Sequence, residues 1–305
     1  MRKKNMLSLY DGMSCFQLAL NRAGIKYDNY YASEINERSM LVTKHHYPNT
    51  KFLGNVRDVE FKKLKDIFIL AGGSPCTDLS IAGRKTGMLD ILNFERYLDL
   101  KEKNFNFGKN QSYLFFEFVR ALYEAKPKYF LFENVWLKGQ MKKYEKVISD
   151  HLGVEPIHIN SNTLSAQNRD RLYWVNIPGV SHPKDLKILS TDVIPGGYGA
   201  GIRGRENEYR KPGQPKYDMY LTVRTDHKFN CITKQPYSTG LVYFENGKYR
   251  VLTPEECEVL QTVPVGHTNV PGVFNSNRYE MLGNGWTIDV ICHLLKGLTT
   301  KVKQK

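Results

Sequence analysis

The sequence predicts an α/β fold around a mainly parallel sheet, from short apolar runs of strand length, helical apolar spacing between them, and a proline break where the two meet. Residues 6–10 and 30–33 read as strands flanking a helix over 16–23, and 68–71 reads as a further strand. Leu114, Phe115, Phe118, Val119 and Leu122 recur at helical spacing, so 114–125 is a helix, which Pro127 separates from a strand over 129–132. Strands alternating with helices form βαβ units, which pair in parallel through right-handed crossovers. Residues 158–164 and 172–177 are two more strands, close enough in sequence to pair at the sheet's edge.

The texture changes near Pro178. From there to about residue 250, prolines, scattered Arg and Lys and short β-like pieces at 220–223 and 241–244 replace the alternation, which marks a second, smaller domain. The expected division is a first domain over 1–177, the small domain over 178–249, and a C-terminal part, 250–305, that returns to the first. That last part opens a helix at Pro254 and forms another over 287–295. Gly199-Ala200-Gly201-Ile202-Arg203-Gly204 matches the dinucleotide fingerprint G-x-G-x-x-G literally. With no strand before it and no apolar helix after it, it reads instead as a flexible basic loop.

The 305 residues include 44 Lys and Arg against 31 Asp and Glu, a formal net charge of +13 that favours a polyanionic partner, nucleic acid first. No apolar run approaches the roughly 18 residues of a membrane span. The basic start meets Asp11 and Gly12 too early for a signal-peptide core, so a soluble cytoplasmic protein is expected. The 5 cysteines, Cys15, Cys76, Cys231, Cys257 and Cys292, are widely spaced and include no C-x-x-C pair. Neither a disulfide framework nor a metal site is expected, and any thiol chemistry falls to a single cysteine.

Cys76 is the candidate. Gly72-Gly73-Ser74-Pro75-Cys76 follows the strand over 68–71, at the sheet edge where open α/β proteins place their ligands. A lone cysteine is by default a small buried apolar residue, but after Gly-Gly-Ser-Pro this one has no apolar run to hide in. Glu133, in Leu131-Phe132-Glu133-Asn134-Val135, ends another strand at the same edge. It is either a cap or surface charge, or the acid that works with a thiolate on an electron-poor ring. Gln167, Arg169 and Arg171 alternate and share one face if extended. They are either a solvated edge that discourages sheet pairing, or a fork that orients Glu133 and holds a carbonyl or phosphate oxygen.

In this order, Pro75-Cys76, Glu133-Asn134-Val135 and Gln167-x-Arg169-x-Arg171 resemble three signature motifs of the DNA (cytosine-5)-methyltransferases. The resemblance extends to Tyr10-Asp11-Gly12, to Glu34 ending the second strand, to Gly54-Asn55-Val56 and to Leu114. Arg250-Val251-Leu252-Thr253-Pro254-Glu255-Glu256-Cys257 and Gly283-Asn284-Gly285-Trp286 complete the set, leaving only the segment after Pro178 unaligned. In motif detail, at 72–80, 114–118 and Trp286, the chain is most similar to the catalytic domains of eukaryotic de novo DNA methyltransferases, in the stand-alone form that suits a bacterium or phage.

The resemblance implies a Rossmann-like S-adenosylmethionine-dependent methyltransferase sheet, mostly parallel with an antiparallel edge strand, and an inserted target-recognition domain. It implies that Cys76 adds to carbon 6 of a cytosine flipped out of double-stranded DNA while Glu133 engages ring nitrogen 3, with Pro75, Asn134, Arg169 and Arg171 in the same catalytic set. Carbon 5 then takes the methyl group of S-adenosyl-L-methionine, leaving S-adenosyl-L-homocysteine. Tyr10, Asp11, Gly12, Met13, Ser14 and Cys15 would wrap the methionine end, Glu34 would accept from the ribose hydroxyls and Ile35 would pack on adenine. Asn55, Val56, Gly73, Leu114, Asn284, Gly285 and Trp286 complete the implied cofactor set. Asn55 stands where the family usually has Asp, Ser14 where it has Gly, and Thr77 where it has Gln or Asn.

For DNA the resemblance offers Ser80, Arg84 and Lys85 on the loop after Cys76, and Arg203, Arg205, Arg210, Lys211, Arg224, Lys228 and Lys234 in the target-recognition segment. The stretch 88–111 reads as a solvated lid or as an insertion that contacts DNA. A monomer or weak dimer is expected. A transfer-RNA cytosine methyltransferase on the same scaffold and a catalytically silent DNA-binding homologue are the alternatives.

Overall fold

The computed structural model describes residues 3–75, 93–107, 111–137, 139, 142–206, 217–235, 237 and 240–299. Cys76, Thr77, Ser80, Arg84, Lys85, Arg210 and Lys211 lie outside the described residues. The chain divides into two compact units, one comprising Met1–Ile159, Asp170–His182 and Ile291–Lys305, the other Asn160–Arg169 and Pro183–Val290. Among the described residues no helix is long and apolar enough to cross a membrane, and no cluster of side chains is suited to a metal ion.

The first unit opens with β1 (Asn5–Leu9), α1 (Cys15–Arg22), β2 (Asn29–Ser33), α2 (Glu37–His46) and β3 (Lys51–Phe52). It continues with β4 (Ile67–Gly72), α3 (Phe94–Glu102), α4 (Phe115–Ala125), β5 (Tyr129–Val135), α5 (Lys142–Leu152), β6 (Ile157–Asn160) and β7 (Asp170–Val175). The seven strands lie in the order β3-β2-β1-β4-β5-β7-β6. All pairs from β3 to β5 are parallel, and β7 runs antiparallel to β5, one place in from the edge that β6 occupies. The chain steps outward from β1 in one direction and from β4 in the other. This switch opens a crevice at the carboxyl ends of the two strands.

Strands buried on both faces read as continuous apolar runs, and β1, β4 and β5 do so: Met6, Leu7, Leu9, Ile69, Leu70, Leu131 and Phe132 are all buried. Phe115, Phe116, Phe118 and Val119 of α4 are equally buried, each worth about 1.5–3 kcal/mol of transfer free energy. Gly72 leaves room between them, since a Cβ there would crowd the Leu9 carbonyl at 3.1 Å and the Phe118 ring at 3.2 Å. The α4 helix stops at Lys126, whose φ of 47° turns the chain into Pro127.

The described part of the 88–111 stretch is not a solvated lid. Tyr97 of α3 is fully buried, its ring 5.5 Å from Phe116, 5.7 Å from Phe107 and 6.0 Å from Tyr113. Lys101 meets the buried Glu117 carboxylate at 2.6 Å, and Arg120 meets it from the other side at the same distance.

The second unit contains α6 (Ser190–Val193), then β8 (Gly197–Glu206), β9 (Tyr217–Val223), β10 (Leu241–Phe244) and β11 (Tyr249–Val251), in an antiparallel sheet ordered β11-β10-β8-β9. The helices α7 (Pro254–Leu260) and α8 (Asn275–Asn284) follow, and α9 (Ile288–Thr299) carries the chain back into the first unit. Residues 160–169 and 250–290 therefore fold with the second unit, which exceeds the 178–249 expected from composition.

The G-x-G-x-x-G stretch is a strand, not a flexible loop, since 199–204 lies within β8. Gly199 in it and Gly197 just before it serve close packing: a Cβ on Gly199 would sit 2.2 Å from the Lys228 carbonyl oxygen, and one on Gly197 would sit 2.7 Å from Val242 and 2.8 Å from Ile194. Composition alone reads such glycines as turn residues, because the partner that excludes a side chain is distant in sequence.

Candidate active site

The loop after β1 turns through three left-handed residues, Tyr10, Gly12 and Ser14, with φ of 57°, 58° and 63°. Only glycine adopts this region without strain, and strain held by its surroundings is characteristic of functional loops. Local bonds hold it here. Tyr10 Oη donates to the Leu114 carbonyl at 2.6 Å, Ser14 Oγ to Asp11 Oδ2 at 2.6 Å, and the Gly12 amide to Glu34 Oε2 at 2.7 Å. The Ser14 hydroxyl thus supports a turn that glycine would make freely. Asp11 is buried and also accepts from Tyr30 Oη at 2.6 Å. Burial raises its pKa to about 6, against the lowering influence of those hydrogen bonds. Tyr30 was missed by sequence reasoning, and its only signal was a phenol at a strand position otherwise reserved for the core.

Glu34 ends β2 and organises the next turn. Its Oε1 accepts from the Ile35 and Asn36 amides at 2.7 Å each, and the Asn36 side chain then caps α2. Ile35 is left 72% exposed, an apolar face at the crevice rim suited to a flat ring. Asn55 caps the short 3-10 turn Val56–Asp58 through the Arg57 amide, with Val56 buried beneath. Met13 and Cys15 point into the core, so the loop can offer a ligand their backbone and not their side chains. A ribose-bearing cofactor fits this donor set, since carboxylate oxygens have lone pairs beyond the amides they hold. Gly73, half-buried, and Pro75 follow β4 on the other side of the switch.

At the carboxyl end of β5, Glu133 lies opposite Tyr173 of β7, which puts Arg171 on the same face one diagonal away. Arg171 Nε meets Glu133 Oε1 at 2.8 Å, and both side chains are largely buried. Glu133 is therefore a held carboxylate, neither a helix cap nor a loose surface charge. Asn134, beside it, is buried.

The fork expected of the alternating arginines does not form from both. Arg169, 2% exposed, belongs to the second unit, where Nη1 donates to the Ile232 carbonyl at 3.3 Å and Nη2 to those of Gly283 and Gly285 at 3.1 and 2.8 Å. Gln167 likewise donates to the Leu260 carbonyl at 3.1 Å and accepts from the Ile232 amide at 2.8 Å. A buried guanidinium without partners is costly, and a cluster of carbonyls outside any sheet ladder is the partner at hand. Asn284 is exposed, and Trp286 is buried in the same unit.

Of the basic residues expected to touch nucleic acid, Arg203 on β8 and Lys234 are exposed, and Arg203 pairs in register with the exposed Tyr220 of β9. The backbone of Arg205 lies in β8 opposite Asp218. Arg224 is engaged internally: it donates to Asn230 at 2.7 Å and to Asp226, whose carboxyl it holds down at about 2. Lys228 is a correction. It is buried and donates to the carbonyls of Asn162, Ser165 and Ile188, which makes it an internal strut and removes it from any phosphate.

The sequence model of the family described as C-5 cytosine-specific DNA methylase matches residues 4–193. Among curated relatives, the orphan methyltransferase M.SPRI of Bacillus phage SPR is 29% identical over 58% of this chain and 38% of its own length. The type II methyltransferase M.Bsp6I of Bacillus sp. (strain RFL6) is 27% identical, covering 95% of this chain and 97% of its own. Type II methyltransferase M.HhaI of Haemophilus parahaemolyticus is 23% identical over 98% and 95%. The chain thus aligns with well under half of the phage relative and with nearly all of the type II proteins. Among solved structures, the Entamoeba histolytica methyltransferase EhMeth superposes with a TM-score of 0.64 at 15% identity, covering all of both chains. A putative DNA modification methyltransferase from a prophage of E. coli gives 0.60 at 18% identity, covering 97% and 98%.

Proposed function

Because the chain belongs to the C-5 cytosine-specific DNA methylase family, we propose that it transfers a methyl group from S-adenosylmethionine to carbon 5 of cytosine in double-stranded DNA. The observation that carries the reading is the buried Arg171–Glu133 pair at the carboxyl end of β5, on the sheet edge that also bears the strained loop after β1. S-adenosylmethionine, when bound, supplies an electrophilic methyl group. Tyr10–Ser14 and Glu34 would hold it, and the exposed Ile35 would be available to its adenine.

Carbon 5 of cytosine is too weak a nucleophile to react unaided. The Cys76 thiolate adds to carbon 6, the electron pair of the 5,6 double bond moves to carbon 5, and Glu133 stabilises the ring through nitrogen 3. Arg171 fixes the Glu133 carboxyl group so that it meets the ring without reorganisation. After methyl transfer, loss of the carbon 5 proton to a base restores the double bond and expels the thiolate. The reacting carbon is inaccessible in a stacked duplex, so the base must be flipped out. The second unit serves target recognition, with Arg203 and Lys234 facing the DNA, and the enzyme works in the cytoplasm as a monomer or weak dimer.

Mapping 5-methylcytosine in DNA from cells that express the protein tests this. The expected result is methylation at one short duplex sequence, absent with Cys76→Ser. Methyl uptake into transfer RNA alone, or undiminished turnover by Cys76→Ser, would overturn it.

A further inference from the structure

At the amino edge of the first unit's sheet, an open cavity of about 540 Å³ lies between the turn before β4 and the helices α3 and α4. It is far from the edge that bears Pro75 and Glu133, because the six residues of β4 separate the two by about 20 Å at 3.3 Å per residue. Lys62, Lys65 and Lys126 line it, and all three are exposed. Among the described residues the ammonium groups of Lys62 and Lys126 have no partner, and Lys65 donates to the Lys62 carbonyl at 2.9 Å. The other two charges lining the cavity, Arg120 and Glu124, meet at 3.3 Å, and Arg120 also meets the buried Glu117 at 2.6 Å. The three lysines are therefore a concentration of uncompensated positive charge.

One wall is aromatic. Phe94 and Tyr123 stack at 5.6 Å with 26° between their planes, and Tyr123 remains 58% exposed. An open aromatic face beside convergent ammonium groups suits a planar ring joined to an anion. We infer that this cleft binds a nucleotide unit of a nucleic-acid strand, its base on Tyr123 and its phosphate among Lys62, Lys65 and Lys126. Continuity of the pattern favours a strand over a free nucleotide: along the same edge Lys4 and Lys128 stand over the Phe68 ring at 5.2 and 5.8 Å. A strand held there would tether the protein to nucleic acid without occupying the site of reaction.

The test uses the full chain and a fluorescent oligothymidylate, which has no cytosine and so cannot be methylated. Combined Lys62→Glu, Lys65→Glu and Lys126→Glu should weaken its binding at least tenfold and flatten the salt dependence by about 0.7 in slope, the value for one phosphate no longer neutralised. Tyr123→Ala should weaken it about fivefold or more through the loss of stacking, with little change in salt slope. Both variants should keep the wild-type turnover on a short cytosine duplex at saturation. Displacement of the strand by adenosine monophosphate at low concentration would overturn the strand as the occupant, in favour of a free nucleotide. Unchanged affinity and salt slope in both variants would overturn the inference. These binding readouts stand whether or not methyl transfer is detected.

Discussion

Arg171 in the first unit and Arg169 in the second are two residues apart, yet one faces the Glu133 carboxylate and the other is enclosed by backbone carbonyls. The contrast runs through both units. The first is filled mainly by aliphatic and aromatic side chains on the two faces of its sheet, with one buried charge cluster, Glu117 between Lys101 and Arg120, beside them. The second is pinned by buried charge: Lys228 on three carbonyls, and Glu258 accepting from the Gly266 and Thr268 amides at 2.6 and 2.7 Å while Arg278 approaches it at 3.3 Å. Irregular segments leave amides and carbonyls that no ladder satisfies, and burying them requires side-chain partners. The same residue type thus orients a reactive carboxyl group in one unit and replaces a sheet ladder in the other.

The largest effect that would sharpen this division is at the carboxylate. Glu133→Gln should lower methyl transfer about a thousandfold while leaving the melting temperature within a few degrees, as measured by tritiated methyl uptake and calorimetry. Arg169→Met should do the opposite, destabilising the second unit by about 3–5 kcal/mol in urea unfolding, because several buried carbonyls lose their donor. Arg171→Lys, which keeps a cation beside Glu133, should cost far less stability in the same assay and mainly reduce turnover; equal destabilisation by the two would abolish the contrast.

A smaller effect is expected from Gly199→Ala, about 1–3 kcal/mol, since the new methyl group must displace the Lys228 backbone. A further effect concerns pH. Asp11 has its carboxyl raised from 3.8 to about 6 in the folded protein, so the native state binds the proton more tightly than the unfolded chain. Its contribution is fully present below about pH 4 and is lost as pH rises through 6, on the order of 3 kcal/mol. Asp11→Asn should remove that slope from denaturation curves measured across this range, and a slope that persists would assign it to another group.

Much of the first unit was legible because its signals are local. The periodicity of Leu114 to Leu122 and the continuous runs in β1, β4 and β5 report burial directly, and the ends of those strands locate Glu133. The solvated-lid reading of 88–111 fails for its described residues because Tyr97 and Lys101 find partners on α4, a match that no pattern within the stretch reveals. In the second unit, glycine and lysine misled: β8 read as a loop and Lys228 as a DNA contact, since their partners lie far away in sequence.

By itself the sequence determined the alternating fold and the ordered motifs that carry the family, because strand and helix periods and residue spacing are properties of the chain. Only the tertiary structure decided which arginine meets Glu133, why β8 needs its glycines, and that Lys228 is internal. The physical reason is that a charged or missing side chain has no preferred role until folding sets what surrounds it. A lysine in water and a lysine among three carbonyls are the same letter.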